Sequence, residues 1–569
     1  MTTASSTRVS ELLKRTGLFS EDQLSILLEA VRKNDASITD IVTREGFAEE
    51  EDFLEALGKA LNIPFIRLTS KEIEAEVLDR LPTKVVFQYN VIPIEFKNGT
   101  LVVCSNDPLS SGLLDTLRMA AGTRVRLTLS TSVDIAKAAK EFYGVGADTV
   151  DKMIQDDRFE VEPESDIGKV DLSDLDQEAS IVKFVNQIIW EACQQGSTDI
   201  HLEPMEDELR VRYRVDGVLH QTPVPSRLHR FQAAIISRIK VMANMDIAEK
   251  RLPMDGRIGL RVQGEDIDIR VSTMPTVYGE SISLRLLQKK GEFISIKDLG
   301  MNERDSGVIR KIIHRPNGVV LVTGPTGSGK STSLYAYLHE INKMDVRILT
   351  AEEPIEYEMP GINQVLVRPE IGLTFARTLR SFLRQDPDII MVGEIRDQET
   401  AEIAIQASLT GHLVFSTLHT NDSSGAFTRM LDMGVEPFLA ASAVEAVIAQ
   451  RLVRQLCESC RQPFKPDVGY LREIAFPVER LSSGDNYVYS PGNCEKCRNT
   501  GFLGRMGIFE VLDVTESIES LVVGHSASNE IKQKAIEEGM CTLRDDGWEK
   551  VLSGITTIEE VLRVTEENE

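Results

Sequence analysis

The stretch Gly318-Val-Val-Leu-Val-Thr-Gly-Pro-Thr-Gly-Ser-Gly-Lys-Ser331 decides the fold. Its apolar run, 319–322, is typical of a buried parallel strand. The run leads into Gly324-x4-Gly-Lys-Ser, the phosphate-binding P-loop pattern, in which glycines let backbone N–H groups curve around phosphate oxygens. Helix-compatible residues follow, so the positive end of a helix is expected at the phosphates. The stretch therefore predicts an α/β domain that binds nucleotide.

Individual roles follow for the loop residues. Lys330 is expected to reach the β- and γ-phosphates of ATP, and the Ser331 hydroxyl is expected to ligate Mg²⁺. The predicted nucleotide-binding residues are Gly324, Pro325, Thr326, Gly327, Ser328, Gly329, Lys330, Ser331 and Thr332.

Two further apolar strands end in acids. Asp388-Ile-Ile-Met-Val-Gly-Glu394 follows Walker B logic, in which a buried strand delivers a carboxylate to hold hydrated Mg²⁺. Arg347-Ile-Leu-Thr-Ala-Glu352-Glu353 supplies a second carboxylate, suited to orienting the attacking water. Ligands gather at the carboxyl ends of such strands in one sheet. The alternative is that the acids merely end exposed strands.

Two histidines bracket another predicted strand. His412 precedes and His419 follows Leu413-Val-Phe-Ser-Thr-Leu. A lone histidine is more often structural, but two at the ends of one strand favour a role for one of them in sensing nucleotide or contacting a neighbouring subunit. The structural alternative stays open.

Composition and length limit the classes of function. A chain of 569 residues predicts three or four domains. No apolar run approaches the roughly 20 residues that span a bilayer, and the N-terminus lacks a signal-peptide core, which predicts a cytoplasmic protein. The net charge of −25 argues against broad nucleic-acid binding, so no direct nucleic-acid partner is expected.

Changes of composition and hydrophobic pattern along the chain predict four segments: a helical and α+β region (1–147), an acidic linker (148–178), a second α+β domain (179–295) and the P-loop domain (296–569). In the first segment, Lys84-Val-Val-Phe reads as a strand, and Asn98-Gly99 predicts a hairpin. The linker has few apolar residues for a core. Its alternative role is a docking strip for a basic partner.

Four of the seven cysteines form two pairs, Cys457-x2-Cys460 and Cys494-x2-Cys497. Four thiolates in two such pairs suit tetrahedral Zn²⁺ with no open position for catalysis. We predict a structural zinc site in an insertion spanning 457–497, with unligated thiols as the alternative.

These motifs together resemble the secretion ATPase superfamily of type II secretion and type IV pilus motors. That superfamily has a Walker A loop, an aspartate box, a Walker B box and a histidine box. The matches in chain order are 324–331, 352–356, 392–397 and 411–419. The resemblance covers about 179–569. It implies a RecA-like P-loop ATPase domain preceded by a PAS-like α+β motor subdomain.

The resemblance also implies a homohexamer with nucleotide between the two motor subdomains and arginines crossing to complete the site. Arg257 and Arg270 are the first candidates, followed by Arg285; ordinary surface arginines are the alternative. By analogy, Glu352 is the catalytic glutamate and Glu394 handles Mg²⁺, while His412 and His419 match the histidine box. Because the neighbouring acid is Glu rather than the family's usual Asp, the choice between 352 and 353 stays open.

Assembly and secretion motors of this superfamily commonly carry a tetracysteine insertion, whereas retraction motors lack it. The resemblance therefore favours a hexameric ATPase that powers type IV pilus assembly through an inner-membrane platform protein, with type II secretion as the alternative. Two other hypotheses are a nucleotide-gated scaffold that barely hydrolyses ATP and a DNA-transport motor.

The N-terminal region resembles the paired-helix domain of long assembly motors, which implies docking on a membrane-associated cytoplasmic protein. Some relatives bind cyclic di-GMP there through repeated Arg-Leu-Gly-x-x-Leu motifs. Here Arg8-Val-Ser-Glu-Leu-Leu has serine at the glycine position, and Ala36-Ser-Ile-Thr-Asp-Ile lacks the arginine, a bidentate phosphate partner. Cyclic di-GMP is therefore the lesser alternative.

Overall fold

The computed structural model describes most of the chain, in two compact units, Met1–Leu287 and Gln288–Glu569. The predicted acidic linker lies outside the described residues, and in the described part of the chain no helix is long and apolar enough to cross a membrane. The described residues are 3–24, 26–27, 37–68, 73–110, 112–144, 146–147, 180–262, 265–288, 294–481 and 487–565.

The first unit begins with helices and a three-stranded sheet. The sheet order is β1-β2-β3, with the first pair antiparallel and the second parallel. The strands are β1 (Val91–Lys97), β2 (Thr100–Ser105) and β3 (Arg124–Leu129). The helices are α1 (Thr3–Thr16), α2 (Ile38–Arg44), α3 (Glu50–Leu61), α4 (Ala75–Leu78), α5 (Thr83–Tyr89), α6 (Leu113–Ala121) and α7 (Ser132–Tyr143).

Two local predictions for this region have opposite outcomes. The hairpin at Asn98–Gly99 is confirmed, and both residues have positive φ. The strand prediction for Lys84-Val-Val-Phe is wrong, because these residues lie in α5. Pro82 occupies its N-cap, and Asn90 ends it in the left-handed conformation, so the caps and the burial of Val86 override the β-propensity of the valines.

The first unit continues with a six-stranded sheet of order β6-β5-β4-β9-β8-β7. One face packs on two helices, and alternation along β7 leaves Arg257 exposed between the half-buried Gly256 and the buried Ile258. The strands are β4 (Ser197–Pro204), β5 (Leu209–Val215), β6 (Val218–Thr222), β7 (Met254–Val262), β8 (Glu265–Thr276) and β9 (Gly279–Gln288). The helices are α8 (Ser180–Gln194) and α9 (Gln232–Met242).

The second unit is built on a seven-stranded sheet of order β12-β11-β13-β14-β10-β15-β18, parallel except for the pair β15–β18. Its strands are β10 (Gly318–Thr323), β11 (Ile348–Glu352), β12 (Asn363–Leu366), β13 (Ile389–Val392), β14 (Leu413–Leu418), β15 (Val444–Leu456) and β18 (Phe502–Asp513). A separate pair in the cysteine insertion comprises β16 (Gln462–Phe464) and β17 (Val488–Ser490).

Helices cover both faces of this sheet. Val319 and Leu321 of β10 belong to the core on one face, and Val320 and Val322 to the core on the other, which explains the uninterrupted apolar run. The predicted α/β P-loop fold is confirmed. The helices are α10 (Glu303–Ile312), α11 (Lys330–Ile341), α12 (Phe375–Phe382), α13 (Gln398–Leu409), α14 (Gly425–Asp432), α15 (Pro437–Ala443), α16 (Val468–Glu473), α17 (Glu516–Val523), α18 (Ser528–Glu537), α19 (Leu543–Leu552) and α20 (Ile558–Thr565).

Candidate functional site

The P-loop, 324–332, connects the end of β10 to the first turn of α11. Gly324 has a φ of 148°, in the region that favours glycine. A Cβ atom there would lie 2.5 Å from the carbonyl oxygen of Gln450 and 2.7 Å from the Ser328 hydroxyl. Close packing as well as backbone conformation therefore requires glycine at this position.

The loop carries groups that fit phosphate oxygens. Lys330 Nζ donates hydrogen bonds to the carbonyl oxygens of Gly324 (2.8 Å) and Pro325 (2.9 Å). Burial lowers the pKa of Lys330 to about 8, and the charge of Glu394 opposes this change. The Ser328 hydroxyl is buried and has no hydrogen-bond partner among the described residues. A lysine, a buried orphan hydroxyl and a helix N-terminus together suit a phosphate.

An ionic cluster follows β13, beside the P-loop. Glu394 pairs with Arg396 and lies with Oε2 3.3 Å from His419 Nε2. Arg396 also lies 3.6 Å from Glu353 Oε2. Glu394 acts electrostatically on Lys330, so the predicted Mg²⁺ carboxylate and the P-loop lysine occupy one region, while Ser331 is exposed at the start of α11. Carboxylate and hydroxyl oxygens are ligands that Mg²⁺ accepts.

Glu352 ends β11 and is only 4% exposed. Its Oε1 accepts hydrogen bonds from Thr350 (2.6 Å) and Gln364 (3.1 Å), and its Oε2 accepts one from the Tyr335 hydroxyl. Burial raises the pKa of Glu352, and these three donors counteract the rise. The carboxylate is thus held inside the domain, whereas that of Glu353 faces Arg396.

The structure separates the two predicted histidines. His419 follows β14 and joins the ionic cluster. His412 precedes β14, and its Nδ1 lies 2.9 Å from the carbonyl oxygen of Ala407 in α13. Since a strand rises ~3.3 Å per residue, β14 places roughly 23 Å between the two histidines. His412 is therefore not brought to the P-loop.

The candidate arginines lie in the first unit, on the open face of the six-stranded sheet. They line a pocket of about 520 Å³. Arg257 and Arg270 are directly opposite each other on β7 and β8, and Arg285 forms a 2.9 Å ion pair with Asp199. Three arginines and one acid, Asp255, line the pocket, so its lining carries a net positive charge that suits an anionic group.

The four paired cysteines come together as predicted, with their sulfur atoms within 4.8 Å of one another. The sulfur of Cys457 is 3.7 Å from that of Cys494, and the sulfur of Cys497 is 3.6 Å from those of Cys460 and Cys494. A tetrahedron with Zn–S bonds of about 2.3 Å has S–S edges of about 3.8 Å. The cluster therefore has the size that zinc requires.

Comparison with known proteins identifies the family. Residues 174–563 match the family described as "Type II/IV secretion system protein", more than half of the chain. The chain belongs to this family. Residues 61–149 match the MshEN domain. The resemblance noted from the four boxes is confirmed, and membership of the type II/IV secretion family implies ATPase activity.

Relatives from both branches match nearly the whole chain. The type IV pilus assembly ATPase PilB of Myxococcus xanthus is 39% identical, covering 98% of each protein. The type II secretion system protein E of Xanthomonas campestris is 40% identical, covering 99% of each. The ATPase DotB of Yersinia pseudotuberculosis has a similar fold (TM-score 0.50, 20% identity, 68% of this chain and 93% of DotB). Pilus assembly and type II secretion are thus equally supported.

Sequence reasoning missed several residues of this type II/IV secretion family site. Arg396 lies two positions after Glu394, inside the Walker B box, and its positive charge near two acids could have indicated that it forms an ion pair there. Gln450 lies outside the four motif boxes, but its side chain accepts a 2.7 Å hydrogen bond from Ser333 of α11. The contact of Tyr335 with Glu352 could not be predicted from sequence, because no motif links this tyrosine to the strand that ends 17 residues later.

Proposed function

We propose that this chain is a Mg²⁺-dependent ATPase motor that works as a homohexamer and powers type IV pilus assembly through an inner-membrane platform protein. The observation that supports it best is the proximity of Lys330, Glu394 and His419 at the carboxyl edge of the parallel sheet. Phosphoryl transfer depends mainly on such positioning and charge stabilisation.

Each residue has a defined task in this proposal. Lys330 binds the β- and γ-phosphates of ATP, and the oxygens of Ser331 and Glu394 hold Mg²⁺, which when bound neutralises charge developing on the phosphates. His419 and Arg396 orient the Glu394 carboxylate. Glu352 orients the attacking water and accepts its proton.

The arginine pocket completes the proposed reaction. Arg257 and Arg270 would face the phosphates bound by a neighbouring subunit and stabilise the negative charge of the transition state. A crossing arginine contributes roughly 10³–10⁵ in rate in related reactions. The domain containing them would then serve both as a structural part of the ring and as half of each catalytic site.

The other parts have supporting tasks. The cysteine cluster holds structural Zn²⁺ and supplies no open coordination position. The N-terminal region docks on a membrane-associated cytoplasmic protein, which would place the motor at the inner face of the membrane. Cyclic di-GMP binding in that region remains the lesser prediction.

Steady-state ATPase measurements test the proposal. The purified full chain should hydrolyse ATP only when Mg²⁺ is present. Lys330→Ala and Glu394→Ala should abolish turnover, and Glu352→Gln should lower kcat by roughly 10²–10⁴-fold, the range for general base catalysis. Glu353→Gln is the matched control. Wild-type rates in the Glu352 variant with loss in the Glu353 variant would reassign the base.

Type II secretion is the second candidate, because the Xanthomonas relative matches as completely as the pilus relative. A deletion strain, scored for surface pili and for secreted enzymes, separates the two. Loss of pili with normal secretion supports the first proposal. Loss of secretion with pili intact replaces it by the second.

A further inference from the structure

Tyr335 lies on α11, five positions after Lys330, and is buried. Its hydroxyl donates a hydrogen bond to Glu352 Oε2 and accepts one from the backbone N–H of Glu356 (3.3 Å). Its ring packs edge-on against Tyr357, with centroids 4.5 Å apart and an interplanar angle of 89°. The position and direction of this hydroxyl are therefore fixed by contacts on two sides.

Three donors enclose the Glu352 carboxylate, and we call them the Glu352 cage: Tyr335, Thr350 and Gln364. Gln364 also donates to the Tyr357 carbonyl oxygen (3.2 Å) and accepts a 2.7 Å hydrogen bond from Met359 N–H, so its amide is fixed too. One donor belongs to the helix that begins at the P-loop, one to β11 itself and one to β12. A buried carboxylate whose oxygens are both held in this way has one orientation.

We propose that Tyr335 is a positioning residue that acts through Glu352 and sets the orientation of this carboxylate relative to the P-loop. The inference rests on the proposed function, in which Glu352 handles the attacking water. Lys330 and Tyr335 are carried by the same helix, so the phosphate-binding cation and the donor that orients the base move as one body. Orientation to within about 1 Å decides whether a base is effective.

Tyr337 provides a matched control on the same helix. It is completely buried, and its ring packs against Phe415, with centroids 6.4 Å apart. Two positions along a helix turn a side chain about 200° around the axis, so Tyr337 points away from the cage. Tyr→Phe at 337 deletes another buried tyrosine hydroxyl on this helix without removing a donor from Glu352.

The test compares Tyr335→Phe with Tyr337→Phe and wild type in the full chain, by steady-state ATPase kinetics and thermal unfolding. We expect kcat of Tyr335→Phe to fall roughly 10- to 100-fold, the value of a hydrogen bond to a charged group, with KM for ATP within about threefold of wild type. Tyr337→Phe should keep the wild-type kcat. Gln364→Met, which removes a donor from a half-buried position, should lower kcat in the same way.

The pH profile separates positioning from a purely structural role. The groups that face Glu352 are Tyr335 on α11, Thr350 on its own strand, Gln364 on β12, and Glu356 and Tyr357 on the following loop. A donor to the ionised carboxylate lowers its pKa, so losing Tyr335 should move the acidic limb of the kcat profile to higher pH. Tyr337→Phe should leave this limb in place.

Each outcome is decisive. A kcat for Tyr335→Phe equal to that of wild type overturns the inference, and so does an increase, which would mean that the cage holds Glu352 away from the reaction. If Tyr335→Phe is too unstable to purify, an unchanged kcat and acidic limb in Gln364→Met overturns it instead. A wild-type chain without ATPase activity refutes the proposed function itself, whereas an active wild type with a normal Tyr335→Phe refutes only the role of Tyr335.

Discussion

Replacing Gly324 by alanine should disable the P-loop without unfolding the domain. The added Cβ would lie 2.5 Å from the Gln450 carbonyl oxygen and 3.1 Å from Arg451 Nη1, and the first of these is backbone that cannot swing aside. A non-glycine residue at an unfavourable positive φ costs about 1–3 kcal/mol, and overpacking costs a similar amount. Together the backbone cost and the overpacking cost destabilise the phosphate-binding conformation by at least about 2 kcal/mol.

A cost of about 2 kcal/mol corresponds to roughly 30-fold weaker nucleotide binding, because about 1.4 kcal/mol is a factor of ten. Titration with a fluorescent ATP analogue measures this change, and circular dichroism on heating measures unfolding. Gly307→Ala is the control: this glycine lies in α10, where a Cβ would meet nothing within 4 Å, so binding should be unchanged and stability about 0.5–1 kcal/mol higher. Equal affinity of Gly324→Ala and wild type would refute the packing argument.

Three further predictions concern other parts of the chain. Metal analysis should find one Zn²⁺ per chain, lost in Cys494→Ser and retained in Cys541→Ser; zinc retained in both would contradict the site. Because burial lowers the pKa of Lys330 to about 8, Lys330 loses its positive charge as pH rises through that value. The affinity for nucleotide should therefore weaken above pH 8 in wild type but not in Lys330→Arg. Isothermal titration calorimetry across pH 6–9.5 measures this affinity. The Lys240–Glu280 pair, with side chains 1% and 8% exposed, is 2.7 Å long, so Glu280→Ala should cost about 3–5 kcal/mol in urea unfolding. A cost below about 1 kcal/mol would show that the hydrogen bond from Lys240 to the Glu249 carbonyl oxygen is enough to hold the lysine.

The second unit was largely predictable from sequence, because its strands are buried on both faces and so appear as short apolar runs. The end of each run located Glu352 and Glu394 at the carboxyl edge of the sheet. The same rule distinguishes the histidines: His419 follows its strand and lies at that edge, while His412 precedes its strand and does not. The clustering of the four cysteines followed from residue type and spacing alone.

The remaining features depend on contacts that no local pattern encodes. The residues of α5 prefer strands locally, and only the caps and the surrounding core make them helical. The contact of Tyr335 with Glu352 exists because α11 packs beside the end of β11, which is a property of the sheet order rather than of either segment. The sequence also does not show whether Glu352 or Glu353 is the buried residue, because the two side chains are identical.

Strand β15 joins two distant chemical centres along one covalent path. Its residue Gln450 touches the P-loop at Gly324, and the strand ends at Leu456, next to Cys457 of the cysteine cluster. Pairing with β10 extends to Ala449 and pairing with β18 to Leu456, so β18 keeps the segment after Gln450 extended, and at ~3.3 Å per residue it spans at most roughly 23 Å as far as Cys457. One paired strand therefore connects the phosphate loop to the cysteine cluster, and a spectroscopic label at the cluster would measure whether nucleotide binding displaces it.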